Sequence, residues 1–539
     1  MEHSFLSSQA SRAIFEDTFL LGMKNSRIEQ VRSVLAKFEQ NSLESLVLVD
    51  IIQRLGLDYL FEDEIGAILD MHNILATKSA FLKHELYQAS LCFRLLRQQG
   101  YQVNADDFFG KFKDEEGGFC FGDGLNTDTK AALALHEASH VRVNGEEILH
   151  EAAKCSSQYL SLMLINNIKS LDQDHAKTAK HSLLYPQHKT MTQFMSMDFL
   201  RSLKGQYGWE SSLQELAELE YTSLESLHKD ELVRAVKWWE NLGLSSQLKS
   251  LRNEPIKWHL WSIVTLWDPK WSEQRILLTK PISLVFAVDD IFDLYGTLEE
   301  LTLFTDAVNK WKICAAEKLP PYMKTCFMAI YDSTNEISRV VSQEHGWNPV
   351  EFLKKEWKNL FDAFLKEAEW FSSGKLPKSK EYLKNGVISS GVVMVLAHLF
   401  FLMGNRLTKE TESLLNDQSQ GITYSVATLL RLLDDLRTAQ DEQQEGYDGS
   451  YIECYMEEHG HSLESAREHV MAMVSCTWEN LNKKSLCSVS PFSLSFRKAC
   501  LNAARMVPMV YAHDKNLRIP VVEHLIKSLL RESSNLPKA

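Results

Sequence analysis

Two short clusters of acidic residues hold the side chains of this sequence that are best placed to do chemistry. The first, DDIFD, puts Asp289 and Asp293 four residues apart, with Asp290 beside them. Residues four apart share one face of a helix, so these carboxylates are expected to project together. The cluster closes the apolar run 281–288, and burying a charge is costly unless it is paired or binds metal. Oxygen ligands of this kind suit Mg²⁺, which typically takes one or two carboxylates together with substrate phosphates.

The second cluster lies in RLLDDLRTAQDE, where Asp434, Thr438 and Glu442 are again spaced four apart. On a helix one ion over the middle position can reach all three, because side chains lean toward the helix N-terminus. Arg431 lies one turn before Asp434 and supplies the cation that a phosphate between two metal clusters requires. The alternative is that each cluster is merely a solvent-facing acidic stretch of helix. The apolar residues that precede both clusters argue against it.

Arg252 is a third candidate, and it lies ahead of the first cluster in LRNEPIKW. Taken alone, an arginine in such a stretch is expected to be an exposed loop residue. Trp258, Trp261 and Trp267 follow closely, and core packing is expected for at least some of them. The functional alternative is an aromatic wall that faces a cation, a contact worth about 2 kcal/mol or more when desolvated.

The residues His136, Glu137 and His140 match the HExxH pattern, in which two histidines bind zinc and the glutamate acts as a base. No obvious third ligand follows this match. It also lies among ordinary amphipathic helices. We therefore interpret it as a polar helix face with incidental histidines, and a zinc protease as the minor alternative.

Only 12 Pro and 23 Gly occur in 539 residues, and long stretches lack turn clusters. This composition favours long helices, and we predict an all-α protein. We place two helical domains at residues 1–215 and 216–539. A linker is expected at residues 220–223, with a helix N-cap at Ser223 or Ser226.

Helical periodicity of apolar residues predicts the individual elements. In the first domain and the linker region it predicts helices over 43–60, 81–97, 128–141, 145–166, 211–219 and 223–242. In the second domain it predicts helices over 258–266, 271–290, 298–316, 321–342, 349–372, 380–404, 424–440, 462–481, 491–513 and 521–531. No fixed repeat occurs, which disfavours a solenoid.

The net charge of −14 argues against a nucleic-acid or anionic-membrane surface. Residues 387–404 are apolar enough to resemble a membrane span, but they lack the usual flanking residues, so we interpret them as a buried core helix. The nine cysteines show no CxxC or zinc-like spacing, which indicates reduced, intracellular thiols. The N-terminus does not look like a signal or transit peptide, so a cytoplasmic protein is expected. A plastid location is the alternative if the chain is a trimmed mature form.

The sequence resembles plant class I terpene synthases over nearly the whole chain. The first cluster lies in FAVDDIFDLYGTLEEL and the second in DDLRTAQDE. Three further strings carry the resemblance in the N-terminal half: IQRLGLDY, EASHVRVNGEEIL and LHKDELVRAVKWW. The resemblance implies a C-terminal catalytic bundle of the class I terpenoid synthase type and an N-terminal helical domain, a relic α-barrel.

The resemblance also implies roles for the candidate residues. Three Mg²⁺ ions, for which Mn²⁺ can substitute, would be held by Asp289, Asp293, Asp434, Thr438 and Glu442. Asp290 would support the first cluster. Arg252 and Arg431 would bind the diphosphate of the substrate, and Trp261 would line a hydrocarbon pocket.

The string at 104–107 lacks the first Asp of the DxDD protonation motif, so only ionisation chemistry is expected. The chain departs from the common family pattern at two places. No Arg-Arg pair occurs near the N-terminus, and no Trp precedes Trp209. The usual Arg-x-Arg reads Arg252-Asn-Glu254. Both departures resemble the subgroup that makes the acyclic alcohols linalool and nerolidol.

The expected activity is therefore Mg²⁺-dependent ionisation of geranyl or farnesyl diphosphate, with water capture to an acyclic tertiary alcohol. The alternatives are a cyclising terpene synthase, a chain-elongating prenyltransferase, and a catalytically inactive helical binding protein. The prenyltransferase would need two DDxxD motifs, and the second motif here is a different pattern. The expected partner is this small-molecule substrate, with no nucleic acid and no membrane span, and we expect a monomer.

Overall fold

The computed structural model describes most of the chain, and all structural statements below refer to that part. The described ranges are 20–38, 42–76, 85–114, 118–119, 121, 125–166, 173–191, 199, 208–418, 421–441, 449–487 and 489–510, without the side chains of 125–128, 166, 173–175 and 438–441. The chain divides into two compact units, residues 1–226 and 227–539. Within the described ranges the fold is all-α, as predicted, and the β-structure is one isolated bridge. The predicted domain ends at residues 215 and 216 stay a prediction.

The first unit is built from consecutive helices. These are α1 (Leu43–Arg54), α2 (Glu62–Ala76), α3 (Leu86–Gln99), α4 (Ala105–Phe109), α5 (Leu125–Ser139), α6 (Glu147–Asn166) and α7 (Gln173–Leu184). Residues 20–35 are helical as well. Residues 104–107, which the DxDD comparison singled out, begin α4, and Asn104 caps it by accepting a hydrogen bond from the Asp106 N–H.

The core of the first unit forms where α5 packs against α3 and α6. The ring of Phe93 lies 5.0 Å from that of Phe109, in an edge-to-face contact. Asp50 lies half-buried on α1, where it pairs with Arg94 of α3. Burial alone would raise the pKa of Asp50, but the guanidinium groups of Arg54 and Arg94 outweigh burial and lower it to about 2. Apolar packing and paired charges therefore stabilise this unit together.

The HExxH match is buried, whereas we predicted a polar helix face. His136 and Glu137 are 5% and 6% exposed, and the Nε2 atoms of His136 and His140 lie 3.3 Å apart. Glu137 accepts hydrogen bonds from the Ser182 hydroxyl and from the Gln187 N–H, the latter at 2.8 Å. The glutamate is therefore occupied in joining α5 to the end of α7, which is not the arrangement of a zinc protease.

A long helix, α8 (Glu210–Leu242), runs without a break through residues 220–223, where we predicted a linker. That prediction is wrong because the polar side chains of this stretch find partners while the backbone stays helical. The Thr222 hydroxyl bonds to a carbonyl of its own helix, and the Tyr221 hydroxyl donates to the Leu55 carbonyl at 2.7 Å. The two candidate N-caps, Ser223 and Ser226, therefore lie in the interior of α8.

The second unit begins within α8, at residue 227, and contains both acidic clusters. Its further helices are α9 (Leu244–Gln247), α10 (Pro255–Thr265), α11 (Ser272–Asp290), α12 (Leu298–Lys310), α13 (Pro321–His345), α14 (Val350–Ser373), α15 (Ser379–Ser389), α16 (Val392–Leu402), α17 (Lys409–Leu415), α18 (Ile422–Asp441), α19 (Tyr451–His459), α20 (Leu463–Ser485) and α21 (Leu494–Val510). Helix α11 packs against α10, α13 and α16, and α18 packs against α15, α16, α20 and α21. Helix α16 thus contacts both helices that carry the acidic clusters.

The predicted helix 380–404 is two helices, α15 and α16, which are separated at Ser390 and Gly391. Gly391 has a φ of +74°, which residues with a side chain rarely adopt. A Cβ atom there would lie only 2.5 Å from a methyl carbon of Val285 on α11. The glycine therefore permits both the break and the close approach of this turn to α11.

The stretch Ser379–Leu402 is the candidate for a membrane span by length and composition within the described ranges, and 78% of its apolar window is buried inside the protein. This burial agrees with the predicted core helix.

Other predicted elements differ at their ends. The helix predicted to reach residue 316 ends at Lys310, where Trp311 adopts a left-handed conformation, and α17 and α19 were not predicted. The predicted helix 521–531 lies outside the described residues.

Candidate active site

The first acidic cluster lies at the C-terminal end of α11. There the α-helix gives way to a single π-helical turn, Ile291–Tyr295, in which the Gly296 N–H donates to the Ile291 carbonyl at 2.9 Å. The predicted spacing of Asp289 and Asp293 on one α-helical face is therefore altered, because a π-turn is wider than an α-turn. Such turns are frequent at functional sites.

Arg252 binds the first two carboxylates of the cluster. Its Nε donates to Oδ1 of Asp290 and its backbone N–H donates to Oδ2 of Asp290, each at 2.7 Å. Its Nη2 donates to Asp289. Asp290 is only 4% exposed, so burial raises its pKa while the bonds from Arg252 oppose that rise. Asp290 therefore anchors Arg252 to the end of α11.

Aromatic rings support Arg252 on its other side. Its guanidinium carbon lies 5.1 Å from the centre of the Phe286 ring, and Phe286 stacks on Trp258 at 5.8 Å. The next residue along the loop, Asn253, accepts a hydrogen bond from Trp239 Nε1 at 2.7 Å. The ring that contacts Arg252 is thus Phe286 and not one of the three tryptophans, and Trp258 is buried behind it, which agrees with core packing.

Three other residues singled out from the sequence near Arg252 are Trp261, Trp267 and Glu254. Trp267 is buried, which agrees with core packing, and Trp261 is half-buried on α10. The proposed contact of Trp261 with a hydrocarbon pocket stays a prediction. Glu254, at the position of the expected second arginine, pairs with Lys257 in the first turn of α10. It therefore adds no cation to the first cluster.

Asp293 interacts with two further carboxylates, those of Asp289 and Glu367. Partial desolvation raises the pKa of Asp293, although the residue is exposed, and the negative charges of Asp289 and Glu367 raise it further. Glu367 lies half-buried on α14, and its pKa is raised first by burial and also by Asp289. Mutually repelling carboxylates of this kind are stabilised by a cation.

Arg431 lies on α18, one turn before Asp434. Its Nε donates to the Gly386 carbonyl at 3.1 Å, and its Nη2 donates to the Ser389 hydroxyl at 3.2 Å. Burial lowers the pKa of the Arg431 guanidinium, but the acidic groups around it, first Tyr382 and Asp435 and then Glu367 and Asp434, outweigh burial and raise it. Glu367 thus interacts with Asp289 of the first cluster and with Arg431 beside the second.

The second cluster is described in part. Asp434 accepts a hydrogen bond from Arg437 at 3.3 Å, and Thr438 lies one turn later in the same helix. The Thr438 side chain and Glu442 lie outside the described residues, so their metal-binding roles stay predictions.

Asp435 is the second aspartate of this cluster, and it is buried like Asp290. It accepts hydrogen bonds from the Tyr382 hydroxyl at 3.2 Å and from the Tyr451 N–H at 2.9 Å. Burial raises the pKa of Asp435 to about 7, against the effect of Arg431. This carboxylate therefore joins α18 to α15 and α19.

The donor set fits Mg²⁺. The described donors, from Asp289, Asp293, Glu367 and Asp434, are all carboxylate oxygens, which this ion prefers. A cation there would also relieve the repulsion by which Asp289 raises the pKa of Asp293 and of Glu367. Within the described ranges no three or more Asp, Glu, His or Cys side chains are already gathered closely enough to hold a metal ion. Substrate phosphates and water therefore have to complete any metal shell, as they usually do for Mg²⁺.

Sequence reasoning missed Glu367, Ser389 and Tyr382. A signal for Glu367 exists, because it takes the next position of the buried apolar stripe of α14, after Leu353, Trp357, Leu360 and Phe364. An acidic residue in such a stripe needs a partner. Ser389 and Tyr382 have no comparable signal, since their importance arises from contacts with distant residues.

Comparisons with known proteins agree with this arrangement. The model of the terpene synthase family metal-binding domain matches residues 240–480, and that of the terpene synthase N-terminal domain matches residues 2–183. An (E)-nerolidol synthase of Cannabis sativa is 44% identical over 93% of this chain and 91% of its own length. A chloroplastic S-(+)-linalool synthase of Arabidopsis thaliana is 42% identical over 97% of this chain and 90% of its own length. Tricyclene synthases also match, at 40% identity.

Among solved structures, isoprene synthase from grey poplar leaves in complex with three Mg²⁺ ions and dimethylallyl-S-thiolodiphosphate matches with a TM-score of 0.86. It is 32% identical, and the match covers 96% of this chain and 98% of that one. Both family models and relatives of nearly equal length thus agree with the resemblance seen in the sequence. The chain belongs to the plant terpene synthase family.

Proposed function

We propose that this terpene synthase ionises a prenyl diphosphate with the help of Mg²⁺ and releases an acyclic tertiary alcohol, nerolidol or linalool, together with diphosphate. One observation carries the proposal. Each acidic cluster is accompanied by an arginine: Arg252 donates hydrogen bonds to Asp289 and Asp290, and Arg431, one turn before Asp434, is linked through the Ser389 hydroxyl to Glu367. Carboxylates that bind cations beside arginines that bind anions are what a metal-diphosphate substrate requires.

The metal ions would be held by Asp289, Asp293, Asp434, Thr438 and Glu442, and Glu367 adds a carboxylate beside the first two. The structure of isoprene synthase with three Mg²⁺ ions supports this number, and Mn²⁺ is an expected substitute. When bound, Mg²⁺ neutralises the negative charge that develops on the leaving diphosphate.

The two arginines bind and orient the diphosphate. Arg252 is held by a hydrogen bond to Asp290 and by the Phe286 ring, and Arg431 is held by a hydrogen bond to α15. The allylic C–O bond breaks, its electron pair stays with the diphosphate, and a water molecule attacks the tertiary carbon of the cation. The proton lost by that water goes to the released diphosphate, so that atoms and charge balance. Trp261 is proposed to face the hydrocarbon chain.

The position of Glu254 supports an acyclic product. A second arginine there would add a cation beside the first cluster, whereas Glu254 pairs locally with Lys257. Fewer cations hold the diphosphate less tightly near the allylic cation, and tight retention is what isomerisation before cyclisation requires. The names of the nerolidol and linalool synthase relatives point the same way, and the tricyclene synthases keep cyclisation as the alternative.

The test offers geranyl and farnesyl diphosphate separately to the purified protein with Mg²⁺ and identifies the volatile products by gas chromatography and mass spectrometry. We expect linalool from the first substrate and nerolidol from the second. Cyclic hydrocarbons as the main products would reject the acyclic assignment. Asp289→Ala should abolish turnover without loss of the fold, and near wild-type activity in that variant would reject the site.

Diphosphate release also separates the remaining alternatives. A catalytically inactive binding protein would release no diphosphate from either substrate, and a chain-elongating prenyltransferase would also require isopentenyl diphosphate.

A fluorescent fusion of the longest transcript would locate the enzyme. We propose the cytosol, with nerolidol as product, and the chloroplastic relatives support the plastid alternative, with linalool. A monomer stays our prediction for the oligomeric state.

A further inference from the structure

The contacts that hold Arg431 include two residues of α15 to which the proposed function assigns no role, Gly386 and Ser389. Both are buried, and Ser389 is 2% exposed. Helix α15 packs against α14, which carries Glu367, and against α18, which carries Arg431. These two residues therefore lie between a carboxylate that interacts with the first cluster and the arginine of the second.

The Ser389 hydroxyl joins these opposite charges. It accepts a hydrogen bond from Arg431 Nη2 at 3.2 Å and donates one to Oε1 of Glu367 at 2.6 Å. A hydroxyl can do both at once, because it has one proton and two lone pairs. The Asn385 amide donates to the same Glu367 oxygen at 3.1 Å, which fixes the carboxylate as well.

Gly386 determines how closely Arg431 approaches α15. A Cβ atom at this position would lie 3.1 Å from Nε and 3.2 Å from Cδ of Arg431, which is tighter than ordinary van der Waals contact. The missing side chain therefore lets the arginine lie along the helix end, where its Nε reaches the Gly386 carbonyl.

We propose that Ser389 is a positioning residue that holds the Arg431 guanidinium apart from Glu367 and directed toward the diphosphate. A neutral hydroxyl stands between Arg431 and Glu367, and the Asp435 carboxylate lies 3.8 Å from Arg431 Nη1, so the guanidinium can still bind an incoming anion. Without that hydroxyl, the guanidinium and the carboxylate can close into a direct ion pair. The inference rests on the proposed function, in which Arg431 binds diphosphate.

The test measures binding of inorganic diphosphate to the full chain in the presence of Mg²⁺ by isothermal titration calorimetry. Removing a hydrogen bond to a charged group commonly weakens an interaction about tenfold to a hundredfold, and we expect Ser389→Ala to lose binding in this range. Ser389→Thr keeps the hydroxyl and should restore most of the affinity. The control is Ser338→Ala, since Ser338 is an equally buried serine whose hydroxyl donates to the Thr334 carbonyl of its own helix.

A second variant separates positioning from stability. Gly386→Ala adds a better helix-forming residue, so a fold effect alone would leave or raise the thermal midpoint. We expect it to displace Arg431 by a few tenths of an ångström and to weaken diphosphate binding several-fold. In steady-state assays, both α15 variants should lower kcat more than they raise KM, because the interaction develops as diphosphate leaves.

The outcomes distinguish this inference from the proposed function. If the wild-type protein binds no diphosphate with Mg²⁺ and turns over no prenyl diphosphate, both are overturned. If the wild-type protein binds diphosphate and Ser389→Ala binds it equally well, the positioning role alone is overturned. Loss in Ser389→Ala with recovery in Ser389→Thr supports it.

Discussion

The two arginines of the site are held in opposite ways. The Arg252 side chain is 39% exposed and its partners are the carboxylates of Asp289 and Asp290. The Arg431 side chain is 18% exposed, and its hydrogen bonds go to a carbonyl and a hydroxyl, while the buried Asp435 carboxylate lies 3.8 Å from its Nη1. One arginine is therefore paired with a predicted metal ligand, whereas the other is held by the backbone, a serine and a buried carboxylate that is not a predicted metal ligand.

This difference indicates different behaviour when the substrate arrives. The pair of Arg252 with Asp289 is partly solvated, and such pairs are worth at most about 1 kcal/mol, so metal binding can displace it. After Asp289 has been released to a metal ion, Asp290 and the Phe286 ring keep Arg252 close to its original position. Arg431 has no metal ligand to release and is already oriented. We infer that the first arginine moves to the diphosphate and that the second is prearranged for it.

The two clusters nevertheless share one structural feature. In each, the second aspartate is a buried anchor: Asp290 binds the loop of Arg252, and Asp435 binds Tyr382 and the start of α19. The first aspartate of each pair, Asp289 or Asp434, is more exposed. Adjacent aspartates thus divide into one that faces the site and one that holds the site together.

The largest expected effect in this comparison follows from Arg431→Lys. A lysine cannot bond to the Gly386 carbonyl and the Ser389 hydroxyl while also facing the diphosphate, because it lacks the planar fork of arginine. Losing two bonds from a charged group should reduce kcat/KM by about a hundredfold or more. Steady-state kinetics with farnesyl diphosphate measure this loss, and circular dichroism controls for the fold. A loss below about threefold would contradict a prearranged Arg431.

Arg252→Lys should have a smaller effect, about tenfold in kcat/KM, because a partly solvated and mobile cation is more easily replaced. The same kinetic assay measures it. Arg234→Lys is the matched control, since Arg234 is an exposed arginine that binds both oxygens of Glu273 away from the clusters. If Arg252→Lys proved more damaging than Arg431→Lys, the distinction between the two arginines would be wrong.

The fold was largely predictable because the spacing of apolar residues indicates long amphipathic helices. The periodicity predicted helices at α10, α11, α13 and α14, and their ends moved by a few residues. The break at Gly391 could not be predicted in this way, since its cause is the approach of Val285 from another helix. The linker predicted at residues 220–223 failed for the related reason that polar residues found partners within and beside the helix.

The candidate site was also predictable only in part. Spacing singled out Asp289 and Asp434 as candidates, and the resemblance assigned Arg252 and Arg431 to the diphosphate. The spacing did not reveal that the neighbouring aspartates, Asp290 and Asp435, are buried anchors, because that role depends on which side chains approach from other helices. Ser389 was missed for the same reason, since its partners come from α14 and α18.

The anchoring role of the second aspartate predicts an intermediate effect for Asp290→Asn. The amide keeps an acceptor for the Arg252 N–H but loses the charge that attracts the guanidinium, so Arg252 should be less well placed. We expect about a fivefold loss of kcat/KM, equivalent to about 1 kcal/mol. Asp306→Asn is the control, because Asp306 forms an exposed pair with Lys310. A loss of a thousandfold or more would instead make Asp290 a metal ligand in its own right.

The smallest effect is expected from Phe286→Leu, which removes the ring beneath Arg252 while keeping an apolar side chain. A cation–π contact at a partly exposed site is worth about 0.5–1 kcal/mol, so kcat/KM should fall about twofold to fivefold. Trp258 loses its stacked partner in the same variant, and a small fall in the thermal midpoint should accompany the kinetic change. The informative measurement is a double-mutant cycle with Arg252→Lys. Because the ring acts through Arg252, the two losses should not add. Full additivity would show that Phe286 acts on the substrate by another route, and that the first cluster does not depend on the aromatic ring beneath its arginine.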